Sequence, residues 1–269
     1  MNSHHPRRRF LLLALLLQTT VALAMYAPVP PMEMIPPIPP GVPLTVVPPA
    51  IPVKPAPGPM PLPCEVLCRR SFDGPDALAT WEEKVFHGKS DYRVVSENGT
   101  PYLSASSRGA SSALYMKAPF DVVPDLFLDW QWRAKEFPRK PKPDQLANRA
   151  QDDFAARIYV IFPGASFFKT DIIEYIWDEN LPVGTVVSSP FSSRVKLFVI
   201  RSGPGPEVSG GWNREERNLY QDYVKLFGKA PKRPLGAIGL MSDSDNTGTV
   251  SAADFGDFTL QRVGPEVKK

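Results

Sequence analysis

Cysteine and histidine are scarce in this chain, and each shortage excludes a kind of site. The 269 residues include only two cysteines and three histidines. Two of the histidines, His4 and His5, stand close to the amino terminus, which leaves His87 for the rest of the chain. A zinc site built from histidine and cysteine is therefore not expected. A Ser-His-Asp triad would have to use His87, which has no nucleophile motif around it, so we interpret it as a surface residue.

Long apolar runs are also missing, apart from one near the amino terminus. Arg7, Arg8 and Arg9 precede an apolar run over residues 10–17, and small residues follow as far as Ala24. This order predicts a signal peptide at residues 1–24 and export to the periplasm or beyond, with the general secretory route favoured over the twin-arginine route. An uncleaved anchor is the alternative, but the run is well short of the roughly 20 residues that a bilayer requires. No stable membrane span is expected after cleavage.

Net charge is absent from the predicted mature chain. The whole chain has 31 basic and 28 acidic residues, and Arg7, Arg8 and Arg9 carry the only charges before the cleavage site. Their removal leaves 28 charges of each sign. Nucleic-acid binding requires clustered basic side chains, so no nucleic-acid partner is expected. We interpret the one short basic run, residues 139–142, as a solvated loop.

Proline is concentrated in one segment. Half of the 32 prolines lie between Pro28 and Pro63, where Glu33 and Lys54 are the only charged residues. Proline fixes φ and removes backbone donors, so this composition predicts a disordered, extended linker over residues 25–63. The rest of the chain is predicted to form one domain at residues 64–262 and a polar tail at residues 263–269.

Short apolar runs between turn signals predict strands in this domain. The predicted strands are 101–106, 113–120, 125–137, 154–162, 172–178, 195–201, 237–241 and 255–261. Their connections favour an all-β fold, an antiparallel β-sandwich of the jelly-roll, galactose-binding-like or concanavalin-like type. One short helix is predicted at 214–227, where Asn213 and Glu216 form a capping pair and Gly228 follows the last turn.

Two local features near the start of the domain have alternative interpretations. Cys64 and Cys68 can form a local disulfide in an oxidising compartment, although a helical spacing would strain it. Asn98-Gly99-Thr100 matches a glycosylation acceptor, but Asn-Gly is also a strong hairpin signal. The hairpin interpretation is favoured.

Several segments resemble a family of bacterial exported proteins. They are Asp129-Trp130-Gln131-Trp132-Arg133, residues 152–159, Glu216-Arg217-Asn218, Asp222-Tyr223 and residues 239–247. The family is the domain of unknown function number three thousand and forty-seven, and the resemblance covers roughly residues 72–260. It implies an exported protein and no established activity. The layout is also similar in pattern to carbohydrate-binding jelly rolls, but a fold alone does not supply a function.

Strand alternation groups side chains that are suited to sugar binding. Arg133 lies on the face opposite Trp132, and Asp153, Arg157 and Tyr159 share the polar face of the next predicted strand. Carboxylates and guanidinium groups can bind sugar hydroxyls while an aromatic ring stacks on the sugar. The alternative is that Asp153 and Arg157 form an ion pair on a solvated sheet, with the tryptophans in the core.

The next predicted strand extends this site. Glu174 and Asp178 lie on one face, and Tyr175 and Trp177 lie on the other. The predicted ligand-binding residues are thus Trp132, Arg133, Asp153, Arg157, Tyr159, Glu174 and Trp177. Paired carboxylates are also required for glycoside hydrolysis, for which two of Asp153, Glu174 and Asp178 would serve.

One acidic turn is similar to a calcium loop, which makes calcium the one candidate cofactor. Asp243, Asp245, Thr247 and Asp254 occupy the first, third, fifth and twelfth positions of the pattern, and Gly248 occupies the sixth. Asp254 is shorter than the usual glutamate, and the preceding segment is strand-like, whereas an EF-hand has a helix there. An ordinary hairpin turn between two strands is the alternative.

These features predict an exported, non-catalytic module that binds a glycan or another cell-envelope component. One alternative is a carbohydrate-active hydrolase with paired carboxylates. The other is a structural envelope protein whose polar sheet contacts a protein partner.

Overall fold

The computed structural model describes residues 64–141, 148–203 and 211–264. The predicted signal peptide, the predicted linker and the last five residues of the predicted tail lie outside these ranges. The described residues form thirteen strands in two packed sheets with one α-helix, which confirms the predicted β-sandwich. Among these residues, no helix combines the length and the apolar character that crossing a membrane requires.

The first sheet, sheet A, has six antiparallel strands. They are β1 (Cys64–Arg70), β3 (Asp91–Glu97), β4 (Thr100–Arg108), β6 (Leu126–Glu136), β11 (Asn213–Asn218) and β13 (Val250–Val263). The order is β11-β6-β13-β4-β3, and β1 pairs with the carboxyl-terminal half of β13. The long strand β13 therefore lies at the centre of the sheet.

The second sheet, sheet B, has seven strands. They are β2 (Glu82–His87), β5 (Ser111–Lys117), β7 (Ala156–Phe162), β8 (Asp171–Asp178), β9 (Val186–Ser189), β10 (Ser192–Ser202) and β12 (Ala237–Met241). The order is β2-β5-β12-β7-β8-β10-β9. One pair, β8 with β10, is parallel, and the other pairs are antiparallel.

Aromatic side chains from both sheets form the centre of the core. Trp130 and Trp132 project from β6 on one face, as predicted, and both are fully buried. The Trp130 ring centroid lies 5.5 Å from that of Tyr175, and the Trp132 centroid lies 5.7 Å from that of Trp177. Each buried aromatic side chain removes about 150–250 Å² from water, so these rings contribute a large share of the stability.

Five strands are not predicted from the sequence, namely β1, β2, β3, β9 and β11. Each of them pairs with a single neighbour. A strand at an edge faces water along one side and often carries charged side chains, so its sequence lacks the apolar pattern of an inner strand. The eight predicted strands include all of the strands that pair on both sides.

The predicted helix is wrong over its first part. The segment Asn213–Asn218 forms β11, which pairs with β6. The helix α1 spans Leu219–Phe227, and its N-cap is Asn218 rather than Asn213. The Asn218 side chain accepts a hydrogen bond from the Gln221 N–H at 2.9 Å. Gly228 ends the helix with φ of 67°, as predicted.

The features near the start of the domain are settled by strand geometry. Asn98 and Gly99 form the turn between β3 and β4 with φ of 51° and 80°, which confirms the hairpin interpretation. Cys64 and Cys68 are free thiols on β1. Residues four apart on a strand are separated by roughly 13 Å. A disulfide needs Cα atoms within about 7 Å, so this strand excludes it.

Candidate functional site

The structure distributes the predicted ligand-binding residues over three places. Trp132 and Trp177 lie in the core, with 0% and 4% of their surface exposed. Arg133 lies on the outer face of sheet A, opposite the core. The residues at the outer face of sheet B are Asp153, Arg157, Tyr159 and Glu174. The two tryptophans have no face available to a ligand, whereas the two outer faces each carry a candidate site.

Arg157 is the centre of a buried ionic network outside sheet B, with 2% of its surface exposed. Its guanidinium donates to both carboxylate oxygens of Asp243, and the Nε–Oδ1 distance is 2.9 Å. It also donates to Glu174 Oε2 at 3.0 Å and to the carbonyl oxygen of Asp152 at 2.5 Å. The guanidinium lies 4.6 Å from the ring centroid of Phe154. Arg157 thus pairs with Asp243 and Glu174, and the alternative of an Asp153–Arg157 ion pair on a solvated sheet is wrong.

A second buried pair adjoins this network. Lys140 Nζ lies 2.6 Å from Asp178 Oδ2, and the Lys140 side chain is 8% exposed. The other oxygen of Asp178 accepts the backbone N–H groups of Asn180 and Leu181. Burial lowers the pKa of Lys140, although Asp178 opposes this shift. The interpretation of the short basic run as a solvated loop is therefore wrong for Lys140.

The network holds more carboxylates than Arg157 can compensate. Burial raises the pKa of Asp152 to about 7, with Arg157 opposing the shift. Burial also raises the pKa values of Glu174 and Asp243. Asp152 Oδ1 lies 3.6 Å from Arg157 Nη1 and has no hydrogen-bond partner in the described part of the chain. Ionisation of Asp152 is therefore costly to the folded state, because one of its oxygens is buried without a donor.

We expect Asp152 to make stability fall as the pH rises from about 4 to about 7. Its folded-state pKa of about 7 lies above its ordinary value of 3.8, so the folded state binds more protons in this window. The Asp152→Asn variant should show a weaker dependence, since Glu174 and Asp243 keep their raised pKa values, and should be roughly 1–3 kcal/mol more stable than wild type at about pH 8. Urea unfolding across the pH range measures the difference. Parallel pH profiles for the two proteins would contradict this assignment.

Three carboxylates form a cluster beside the network. The nearest oxygens of Asp153, Asp243 and Asp245 all lie within 4.8 Å of one another. Carboxylate oxygens are ligands that Ca²⁺ prefers. However, Asp153 already accepts the backbone N–H groups of Asn246 at 3.2 Å and Thr247 at 2.6 Å. A cation here would compete with these donors for the carboxylate oxygens and would lie close to the guanidinium bound to Asp243.

The other two residues of the predicted calcium loop point elsewhere. Asp254 lies on β13, where its Oδ2 is 2.7 Å from Arg133 Nε and 3.5 Å from Lys135 Nζ. The Thr247 hydroxyl lies 2.8 Å from the hydroxyl of Thr249. Strands β12 and β13 flank the turn, where an EF-hand would have helices. Asp243 and Asp245 therefore cluster with Asp153, and the four residues of the predicted calcium loop do not converge on one cation site.

A group of polar and aromatic side chains lies on the outer face of sheet A. Arg133 is held by Asp254 at 2.7 Å and by Glu97 at 2.9 Å. Its guanidinium lies 5.0 Å from the ring centroid of Tyr102 and 4.7 Å from that of Trp212. The two rings meet edge to face with centroids 5.2 Å apart. We call these five residues the aromatic platform.

The aromatic platform leaves polar atoms available at the surface. Within the described ranges, the Tyr102 hydroxyl and the Trp212 indole N–H have no hydrogen-bond partner. Both rings are half-buried, and the Glu97 side chain is 50% exposed. Burial opposes the charge on Arg133, but Asp254 and Glu97 raise its pKa overall. The guanidinium is therefore a permanent, fixed charge beside two rings.

Sequence reasoning found Arg133 but missed the aromatic residues of the platform. Tyr102 alternates with the buried Leu103 on β4, so its outward direction was readable from the pattern. Trp212 directly precedes β11 and carries no such signal. Its position near Tyr102 depends on the pairing of β11 with β6.

The chain is distantly similar in fold to several solved structures. No curated protein matches the chain. A family 11 carbohydrate-binding module of the cellulase Lic26A-Cel5E from Clostridium thermocellum is 10% identical, with 76% of this chain and 96% of that chain covered and a TM-score of 0.36. TmCBM27, a module that recognises mannan, is 8% identical over 74% and 98%, with a TM-score of 0.33. The K1 adhesin domain of Lys-gingipain from Porphyromonas gingivalis W83 is 14% identical over 73% and 98%, with a TM-score of 0.32.

These structural likenesses are too distant to carry an argument about the site. The match to a protein family is more extensive. The family model of DUF3047, described as a protein of unknown function, matches residues 79–259. This match includes the five segments on which the resemblance was based. Since the match spans well over half of the sequence, the chain belongs to the DUF3047 family.

Proposed function

We propose that this protein is a non-catalytic module that binds a glycan or another cell-envelope component, with the aromatic platform as its ligand-binding surface. The observation that carries this proposal is the pair of half-buried rings, Tyr102 and Trp212, which contact each other and both lie about 5 Å from the fixed guanidinium of Arg133. The proposed location is outside the cytoplasm. It rests on the predicted signal peptide, with the domain carried on the proline-rich linker.

The platform has the chemistry that a sugar requires. An aromatic ring can stack on the apolar face of a pyranose, and charged groups can form hydrogen bonds to its hydroxyls. Asp254 and Glu97 hold Arg133 in place before any ligand arrives. A side chain that is already ordered loses little entropy on binding, which favours affinity.

The surface continues beyond the platform along sheet A. Gln131 on β6 and Arg214 on β11 are exposed and opposite each other on the same outer face. Gly256 on β13 lies beside Gln131, and a Cβ there would be 3.0 Å from the Gln131 Cβ. Because glycine has no side chain, nothing projects from β13 at this point of the outer face. A polymer lying across the sheet could place one sugar on the rings and the next one over Gln131.

The predicted residues near sheet B support this proposal less well. Asp153, Arg157 and Glu174 are buried, and most of their polar atoms are bonded within the network. Asp178 is likewise occupied by Lys140 and two backbone N–H groups. A hydrolase that uses Asp153, Glu174 or Asp178 would need these contacts to open. The half-buried rings of sheet A need no such change of contacts.

We expect the Trp212→Ala variant to lose glycan binding by at least about tenfold while its unfolding free energy changes by about 1 kcal/mol or less. The half-buried ring would form the stacking surface but donates no hydrogen bond inside the described structure. The measurement is a glycan array and a pull-down with insoluble polysaccharides, using the purified full chain. The matched control is Tyr115→Ala, which removes a half-buried ring from the outer face of sheet B.

Each result decides between specific possibilities. Loss of binding in Trp212→Ala together with normal binding in Tyr115→Ala would support the platform. Normal binding in Trp212→Ala would place the site elsewhere. If wild type binds no glycan, the glycan proposal is wrong, and a protein partner in the envelope becomes the favoured ligand.

A further inference from the structure

A cavity of about 510 Å³ opens at the end of the sandwich where β7 ends and β8 begins. The loop between these strands forms one wall, and the segment that follows α1 forms another. Asp171 lines the cavity and Glu174 belongs to the ionic network, and the two lie three residues apart along β8, which is roughly 10 Å. Their side chains project to opposite faces of the strand. The aromatic platform belongs to the other sheet. The cavity is therefore a separate site.

Cationic side chains dominate the lining of this cavity. The five cations are Lys169, Arg194, Lys229, Lys232 and Arg233, and the one carboxylate is Asp171. The lining thus carries a net formal charge of +4. The predicted mature chain has no net charge, so this is a local concentration of positive charge.

Asp171 fixes two of the five cations. Its Oδ1 accepts a hydrogen bond from Arg194 Nη1 at 2.7 Å, and its Oδ2 lies 2.9 Å from Lys229 Nζ. The Tyr223 hydroxyl also donates to Oδ2 at 2.6 Å. Burial opposes ionisation of Asp171, but Lys229, Tyr223 and Arg194 lower its pKa overall. Asp171 is therefore charged at neutral pH and keeps Arg194 and Lys229 in place.

The other three cations have no such partner. Lys169, Lys232 and Arg233 are exposed and form no ion pair within residues 64–141, 148–203 and 211–264. Like charges that surround one cavity repel each other, and an anion between them relieves this repulsion. A guanidinium can hold two oxygens of one phosphate or carboxylate group at once, and lysine adds a point charge.

The wall that carries Lys169 has a fixed shape. A Cβ on Gly164 would lie 2.1 Å from the Lys169 carbonyl oxygen, so only glycine allows the loop to close this tightly. The Gly164 N–H donates to Thr170 Oγ1 at 3.4 Å. The loop therefore presents Lys169 to the cavity from a defined position.

We propose that this cavity binds an oxyanion, the phosphate or carboxylate group of a ligand, between Lys169, Lys232 and Arg233. The inference does not depend on the aromatic platform, because no residue is shared. In a cell envelope such a group occurs on acidic polymers, either as phosphate esters or as uronate sugars. Phosphate and galacturonate probes distinguish these two sources.

The test is isothermal titration of the purified full chain with sodium phosphate, with oligogalacturonate and with a neutral galactose oligomer of equal length. We expect wild type to bind one of the two anions and to release it as the salt concentration rises. Lys232→Ala/Arg233→Ala should weaken this binding at least tenfold. The matched control, Lys84→Ala/Arg108→Ala, removes the same charge from two residues that lie outside the cavity and form no ion pair among the described residues.

Each outcome of this titration has a definite meaning. Preference for phosphate identifies a phosphate ester as the ligand group, and preference for oligogalacturonate identifies a uronate. Equal weakening by the two double variants would attribute binding to general surface charge and overturn the proposal. Binding of neither anion by wild type would also overturn it. Glycan binding through the platform is read out separately by Trp212→Ala.

Discussion

Replacing Arg157 with alanine is expected to destabilise the protein by roughly 3–5 kcal/mol. The change removes the guanidinium that donates to the buried carboxylates of Asp243 and Glu174 and to the carbonyl of Asp152. Among the described residues, Asp243 keeps only the backbone N–H of Phe154 as a donor. A buried charge that loses its partner bears the full cost of desolvation, since water cannot reach it. Urea unfolding followed by tryptophan fluorescence would measure the loss.

The matched control for this prediction is Arg214→Ala. Arg214 also binds a carboxylate with two hydrogen-bonding nitrogens, that of Asp129, but its side chain is 67% exposed. Pairs of this kind contribute about 1 kcal/mol or less. Similar losses in the two variants would show that burial of the network does not matter. Where Arg157→Ala does not fold, Arg157→Lys gives the measurement, and we expect an intermediate loss because lysine cannot reproduce the paired hydrogen bonds.

Replacing Trp132 with alanine is expected to cost about 3–5 kcal/mol as well, for a different reason. The ring is fully buried, and its centroid lies 5.6 Å from that of Trp130 and 5.7 Å from that of Trp177. Its indole N–H donates to Glu215 Oε1 at 3.1 Å. The substitution opens a cavity between the sheets and removes this hydrogen bond. Thermal and urea unfolding would measure the effect.

The same variant also tests whether Trp132 belongs to the ligand site, as the sequence pattern predicts. The folded fraction of Trp132→Ala should bind a glycan with near-normal affinity, because the ring does not reach either outer face. Trp212→Ala should show the opposite pattern, with normal stability and lost binding. A variant of Trp132 that is stable but binds no glycan would return this residue to the ligand site.

Sequence pattern predicts the inner strands well. The strand predicted at 237–241 has the observed bounds of β12, and β6, β7 and β8 lie within one or two residues of their predictions. Apolar alternation is strong in these strands because they are paired on both sides and pack against the opposite sheet. The common face of Trp130 and Trp132 follows from the same alternation.

Edge elements were less predictable. The segment Asn213–Asn218 has the composition of a helix start, and Asn213 with Glu216 matches a capping pair. In the structure its backbone pairs with β6 instead, and Asn218 caps the helix. Long-range backbone hydrogen bonds outweighed local preference here, and no local pattern reports such pairing.

By itself, the sequence determined the β-sandwich class, the family resemblance and the sorting of side chains onto two faces of each inner strand. Only the tertiary structure decided which distant residues meet. In the structure Trp177 lies in the core, and Arg157 pairs with Asp243 instead of Asp153. The Trp212 ring contacts the Tyr102 ring. Alternation along a strand is a local property of the chain, whereas contact between segments depends on strand order and register, which are fixed by the packing of the whole domain.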